Sequence, residues 1–89
     1  MGSKAIYIYT RSGCDESQSL KEYLSADQIP YHEIDISHSN DLESELLGIT
    51  GTNITPAIIV DKKSMFGKKK RAVFSGYVTN KSTINRVIH

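Results

Sequence analysis

Short apolar runs alternate with segments whose apolar residues recur at helical spacing. Ala5, Ile6, Tyr7, Ile8 and Tyr9 form a nearly continuous β-rich run, the pattern of a strand buried on both faces. It predicts a first strand over residues 4–9. Leu20, Tyr23 and Leu24 then recur at helical spacing and predict a helix over about residues 14–26. Pro30 disfavours helical geometry in the residue before it, and a second strand is expected at 31–36. A polar turn follows at 37–40, where Ser39 or Asn40 can cap a second helix. Leu42, Leu46 and Ile49 share one face of that helix, which is expected to run to about Leu47, with Gly48 and Gly51 ending it. Strands at 57–61 and 71–74 are expected to pair antiparallel, joined by an extended lysine-rich hairpin turning near residues 64–67. Thr79 or Asn80 then caps a last helix carrying Ile84, Val87 and Ile88 on one stripe. The helices separating the early strands favour a parallel pair in the middle of the sheet.

Composition narrows this picture. The chain has 89 residues, 38% of them hydrophobic, enough for one small core and one domain over residues 1–89. No run approaches the ~18 apolar residues of a membrane span, no signal peptide is visible, and the lone cysteine suits a reducing compartment. The expectation is a cytoplasmic monomer with no membrane association. The net charge of +1 hides an asymmetry: residues 1–45 carry nine acids against three Lys or Arg, and residues 46–89 one acid against eight.

The chemistry centres on residues 10–17. Cys14 falls where a strand hands over to a helix, and a thiol there sees unpaired N–H groups and the positive end of the helix dipole. Both favour the thiolate, and Arg11 can add a second positive charge. Asp15 and Glu16 suit the first turn of a helix but oppose thiolate formation at Cys14. Ser17 can hydrogen-bond a thiolate, can be simply an early-helix polar residue, or can stand in place of a second cysteine. Downstream, Thr55-Pro56 precedes the apolar strand at 57–60. His32, His38 and His89 match no metal spacing, so no metal is expected. Lys68, Lys69, Lys70 and Arg71 have the composition of a nucleic-acid patch, but a solvated hairpin edge protected by lysines is the simpler reading. Nucleic acid is therefore not an expected partner. Such a patch, lying near the site, could attract an acidic partner.

Taken together, the strand, the Cys-x-x-Ser of Cys14 and Ser17, Thr55-Pro56 before a strand, and Ser75-Gly76-Tyr77 before a last helix resemble the glutaredoxin family. With Phe74 and the Ile84-Asn85-Arg86 of the last helix, the pattern looks most like the small glutaredoxin-like hydrogen donors of ribonucleotide reductase. The resemblance covers roughly residues 4–88; the connection 62–70 is several residues longer than the family pattern has. It implies a thioredoxin-like α/β fold in the order β-α-β-α-β-β-α, with a four-stranded mixed sheet flanked by three helices. It implies a cis Thr55-Pro56 bond and a site in which Cys14 is the nucleophile, Arg11 and Ser17 support it, and Gly13, Thr55, Pro56, Gly76, Tyr77 and Thr79 hold the substrate or thiol. In the family, glutathione's glycyl carboxylate meets a cation at the position of Arg11, and its γ-glutamyl end meets a Gly-Gly turn followed by an acid. Here that turn reads Gly76-Tyr77-Val78-Thr79-Asn80, lacking the second glycine and the acid. The iron–sulfur monothiol members carry Gly-Phe where this chain has Asp15-Glu16, and two acids would repel such a cluster.

The expected function is thiol–disulfide exchange through a single cysteine in cell redox homeostasis. No cofactor is expected to be tightly bound, and glutathione or a thioredoxin-reductase system is the electron donor. The expected partners are a protein disulfide and that reductase or glutathione. The alternatives are a non-catalytic thioredoxin-fold module that binds a protein, or a dithiol redoxin whose resolving cysteine is replaced by Ser17.

Overall fold

A computed structural model describes residues 3–64 and 66–89; Met1, Gly2 and Met65 lie outside the described residues, and with Met65 part of the expected hairpin turn. The elements are β1 (Ser3–Thr10), α1 (Asp15–Ala26), β2 (His32–Asp35), α2 (Asn40–Thr50), β3 (Ala57–Lys63), β4 (Lys69–Ser75) and α3 (Lys81–Ile88). The sheet order is β2-β1-β3-β4. β1 runs parallel to β2 and antiparallel to β3, and β3 is antiparallel to β4. This is the thioredoxin-like architecture.

The period of two along the strands sorts the core into two layers. Ile6 and Ile8 of β1, with Ile58 and Val60 of β3, pack on Leu20 and Leu24 of α1 and Ile84 and Ile88 of α3. Tyr9, Ala57 and Ile59 face the other way and pack on Leu46 of α2 and on Ile36. Each buried Ile or Leu contributes about 1.5–3 kcal/mol, so both faces of the central strands need their helices. Among the described residues no helix is long and apolar enough to cross a membrane.

The ends of β1 and β2 and the start of α1 each differ from the expectation by one residue, and α2, β3 and β4 differ by more. α2 does not stop at Leu47 or Gly48. Ile49 packs on the second core layer and holds a further turn, and the helix ends at Gly51, whose φ of +78 closes its N–H on the Leu47 carbonyl at 2.8 Å. The β3–β4 ladder runs past the expected ends, since Lys62 pairs with Lys70 and Lys63 with Lys69. Of the two cap choices in each case, Ser39 caps α2, accepting the Leu42 N–H at 3.1 Å. Asn80 stands at the start of α3 without a side-chain cap bond. Its amide instead donates to the Ser75 and Gly76 carbonyls at 2.9 and 3.0 Å, fixing the turn that leads into the helix.

Candidate active site

The turn after β1 delivers a sulfur to the start of α1. Gly13 takes φ +75, a conformation that disfavours side chains, and the Cys14 N–H closes on the Arg11 carbonyl at 3.3 Å. Cys14 is then the N-cap rather than the first helical residue. Its backbone is extended, and Sγ accepts the Ser17 N–H at 3.4 Å. Sulfur thus takes the role that a serine or aspartate oxygen usually plays at this position. The loop before β3 closes the other side. Thr55 Oγ1 lies 3.7 Å from the sulfur and the Thr55 carbonyl oxygen 3.8 Å, and the Thr55–Pro56 bond is cis.

These contacts decide how the thiol ionises. Burial pushes the Cys14 thiol up. The nearby Ser17 hydroxyl and hydrogen bonds from the Ser17 backbone, the Thr55 hydroxyl and the Glu16 backbone pull it down, and the outcome lies below the ordinary cysteine value. Ser17 is 2% exposed and its Oγ has no hydrogen-bond partner among the described residues. We therefore read its influence on the sulfur as that of a nearby dipole rather than of a formed bond.

Arg11 does not take the expected part. Its guanidinium donates to Glu43 Oε1 at 2.8 Å and to the Asn53 carbonyl at 3.3 Å, and its charge is not among the influences on the thiol. A cation held this close to a carboxylate has little field left for a third group.

Glu16 is turned away from opposition as well. Its Oε1 accepts the Tyr77 and Val78 N–H groups, both at 2.6 Å, and so ties the start of α1 to the turn before α3. Gly76 has φ +91, and a Cβ there would lie 3.7 Å from that oxygen. Tyr77, expected on the substrate side, has its ring in the core at 4% exposure, stacked 5.9 Å from Tyr23. Only its backbone faces the site, and that N–H is engaged by Glu16. Thr79 is exposed in the turn.

A cleft of about 300 Å³ lies beside the sulfur, lined in part by Cys14, Ser17, Gln18, Lys21, Glu33 and Asp35. Lys21 pairs with Glu33 at 3.1 Å, and the Thr10 hydroxyl donates to the same carboxylate at 2.7 Å. Hydrogen bonds from Ser37 hold Asp35 below the usual carboxylate range. Sequence reasoning missed Lys21, Glu33 and Glu43. Lys21 carried a signal: residues 14, 17, 18 and 21 share one helical face. The two glutamates carried none, since each reaches the site from a different element. The lysine-rich hairpin is not near the site as expected. Ala57 follows Thr55-Pro56, and β3 then rises about 3.3 Å per residue, which puts Lys63 about 20 Å away.

The model of the glutaredoxin family, described as Glutaredoxin, matches residues 6–65, well over half of the chain and including Cys14, Ser17, Thr55 and Pro56. The chain belongs to the glutaredoxin family. A search of curated proteins finds no significant match. Among solved structures the chain is similar to Trichomonas vaginalis thioredoxin, at 19% identity and TM-score 0.64, covering 96% of this chain and 76% of that one. It is similar also to Plasmodium falciparum thioredoxin, at 13% identity and TM-score 0.63, covering 94% and 69%. A third is Malassezia sympodialis thioredoxin, at 13% identity and TM-score 0.55, covering 96% and 71%. At these identities the likeness concerns the fold. Membership of the glutaredoxin family supports a thiol redox function for this protein.

Proposed function

We propose that this glutaredoxin acts as a thiol–disulfide oxidoreductase through Cys14 alone. The observation that carries the reading is the sulfur at the N-cap of α1, receiving the Ser17 N–H at 3.4 Å with the Thr55 hydroxyl 3.7 Å away. The Cys14 thiolate attacks one sulfur of a substrate disulfide. A Cys14–sulfur bond forms, and the other half of the substrate leaves as a thiolate that takes a proton from solvent. A thiol from outside then attacks the substrate sulfur, ends in a disulfide with it, and releases Cys14 as thiolate. The outside thiol is needed because the chain holds one cysteine and Ser17 cannot resolve the intermediate. The Thr55 backbone beside the sulfur offers an extended peptide a pairing partner.

The finer reading is a donor of the kind that serves ribonucleotide reductase, recharged by a thioredoxin-reductase system in preference to glutathione. Glu16 supports it. Its carboxylate sits on the turn where the resemblance places glutathione's γ-glutamyl end. Glutathione-coupled turnover is expected to be poor, and turnover matching a dithiol glutaredoxin would return the protein to the glutathione-dependent members.

Ser17→Cys tests the single-thiol mechanism. The introduced thiol sits one turn after Cys14, where side chains three apart are neighbours. It should resolve the mixed disulfide from within and leave a Cys14–residue 17 disulfide detectable by mass. With a protein disulfide and a reductase present, turnover should rise. If neither effect is seen, residue 17 does not face the reacting sulfur and the mechanism fails. A Cys14 thiol that titrates near or above about 8.5 would favour a non-catalytic binding module instead.

A further inference from the structure

The lysines of the hairpin stand in rows that edge protection does not explain. β4 is an edge strand, and lysines on it are an ordinary guard against pairing with another chain. Lys62 and Lys63, however, lie on β3, which has a neighbour on each side. Lys4 of β1, Lys62 of β3 and Lys70 of β4 are in register across the sheet, and Lys63 faces Lys69 in the next row. Side chains in one row share a face, and like charges directly opposite are destabilising. The one acid of the region, Asp61, is taken by Arg71 at 2.7 and 2.9 Å. Lys4 donates to the Ile88 carbonyl. The ammonium groups of Lys62, Lys63, Lys68, Lys69 and Lys70 enter no hydrogen bond or ion pair among the described residues.

The two rows stand on opposite faces of the sheet, and their residues, with Ala5 and the Asp61–Arg71 pair, border a groove of about 530 Å³ at the end of the sheet remote from Cys14. Phe66, in the hairpin turn, is 84% exposed. A cationic hairpin whose turn carries a bare aromatic matches the two elements by which proteins hold single-stranded nucleic acid without reading its sequence: ammonium groups along the phosphates and a ring on which a base stacks. An acidic polypeptide would satisfy the charges but gives Phe66 nothing specific to do. A duplex would leave it out of reach of the stacked bases. The acids are concentrated in residues 1–45, so the field orients the molecule with the hairpin toward a polyanion and Cys14 turned away.

From this we infer that the β3–β4 hairpin binds single-stranded nucleic acid that wraps it, with Lys62 and Lys70 on one face and Lys63 and Lys69 on the other meeting successive phosphates, and Phe66 stacked on a base. The inference stands apart from the thiol chemistry, and Cys14→Ser should bind equally well.

The probe is a fluorescent oligothymidylate of about 12 nucleotides, within the range of site sizes of single-strand binders. Its anisotropy is measured with the full chain as salt is raised from about 50 to about 200 mM. Four or five engaged cations give a slope of log K against log salt of about −3 to −3.5, and Lys62→Gln with Lys70→Gln should reduce it by about 1.4. Phe66→Ala should weaken binding by about fivefold or more with the slope unchanged. The double lysine variant should also unfold at a higher temperature than the parent, because repulsion within a row is relieved. Its lost affinity could not then be assigned to a damaged fold. Absence of binding at the lowest salt overturns the inference. So does polyglutamate binding as tightly as the oligonucleotide, or a duplex binding tighter with no effect of Phe66→Ala; these results assign the groove to an acidic protein and to double-stranded nucleic acid.

Discussion

The two ends of the sheet handle charge in opposite ways. Around Cys14 most charged groups, Asp15 aside, have internal partners: Arg11 with Glu43 at 2.8 Å, Lys21 with Glu33 at 3.1 Å, and Glu16 with two backbone N–H groups at 2.6 Å. At the hairpin, lysine faces lysine across the strands, and Asp61 with Arg71 is the exception. The side-chain ion pairs at the thiol end are partly exposed, and each contributes at most about 1 kcal/mol to stability. Their consequence is for the sulfur. With Arg11, Lys21 and Glu16 engaged elsewhere, burial and dipoles at hydrogen-bond range govern its ionisation. At the hairpin the lysines are not neutralised locally, and their field reaches into solvent over about a Debye length of 8–10 Å. One end is set for chemistry at an atom and the other for attraction at a distance.

The largest expected effect that tests this contrast is at Glu16. Removing its carboxylate in Glu16→Ala leaves two N–H groups without a charged acceptor, at a cost of about 2 kcal/mol in urea unfolding. Glu16→Gln keeps an acceptor oxygen and should recover most of it. Equal stability of all three proteins would mean that the tie between α1 and the Gly76 turn is not formed.

Next is Ser17→Ala. A buried hydroxyl without a partner costs about 1 kcal/mol or more, so its removal should stabilise the fold, raising Tm by about 4–8 °C for a chain of this size. The same change removes a dipole that favours the thiolate. The midpoint of Cys14 alkylation should move up, and the rate at neutral pH should fall. Stabilisation without that shift would mean that Ser17 does not act on the sulfur. The parent has a further signature. Its folded thiol titrates below the unfolded value of about 8.5, so in the interval between the two the unfolded state holds more protons. The stabilisation is fully present above about 8.5 and is lost as pH falls through the folded value. Relative to Cys14→Ser, the parent should therefore gain stability as pH rises across that interval; a flat difference would place the two thiol values together.

Arg11→Ala sharpens the same point with a smaller effect. It should cost less than about 1 kcal/mol, since the pair with Glu43 is partly exposed, and leave the pH profile of Cys14 alkylation in place. A clear upward move of that profile would restore Arg11 to the thiolate. The smallest change belongs to the other end: Lys63→Gln, opposite Lys69, should stabilise by a few tenths of a kcal/mol at low salt, with the gain vanishing as salt is raised. A loss at low salt would mean that the row is not repulsive.

The fold was largely legible because its signals are local. Ile6 and Ile8 against Tyr7 and Tyr9 announce a strand covered on two faces, and Leu42, Leu46 and Ile49 announce one face of a helix. The end of α2 was read short because Gly48 suggested a stop, whereas contact between Ile49 and the core, made through tertiary packing, carries the helix on. Cys14, Thr55 and Pro56 were legible as a group through their resemblance to a family. What was not legible were pairings across the chain. Nothing near Arg11 names Glu43, 32 positions on, and nothing near Glu16 names the amides of Tyr77 and Val78, more than 60 positions on. The rows of the hairpin became visible only with the strand register, which sets Lys4 beside Lys62 and Lys62 beside Lys70.

The sulfur at the N-cap links the redox state of Cys14 to the end of its own helix. As a thiolate it accepts the Ser17 N–H and completes the first turn of α1. Once bonded to a second sulfur it is neutral and a weak acceptor, and the turn loses its anion. Helix order and reducibility are then two readings of one equilibrium: whatever the thiolate adds to the first turn is withdrawn on forming the mixed disulfide and returned on breaking it. Reduction is favoured by that amount, and the Ser17 amide should exchange with solvent faster in the mixed disulfide than in the free thiolate.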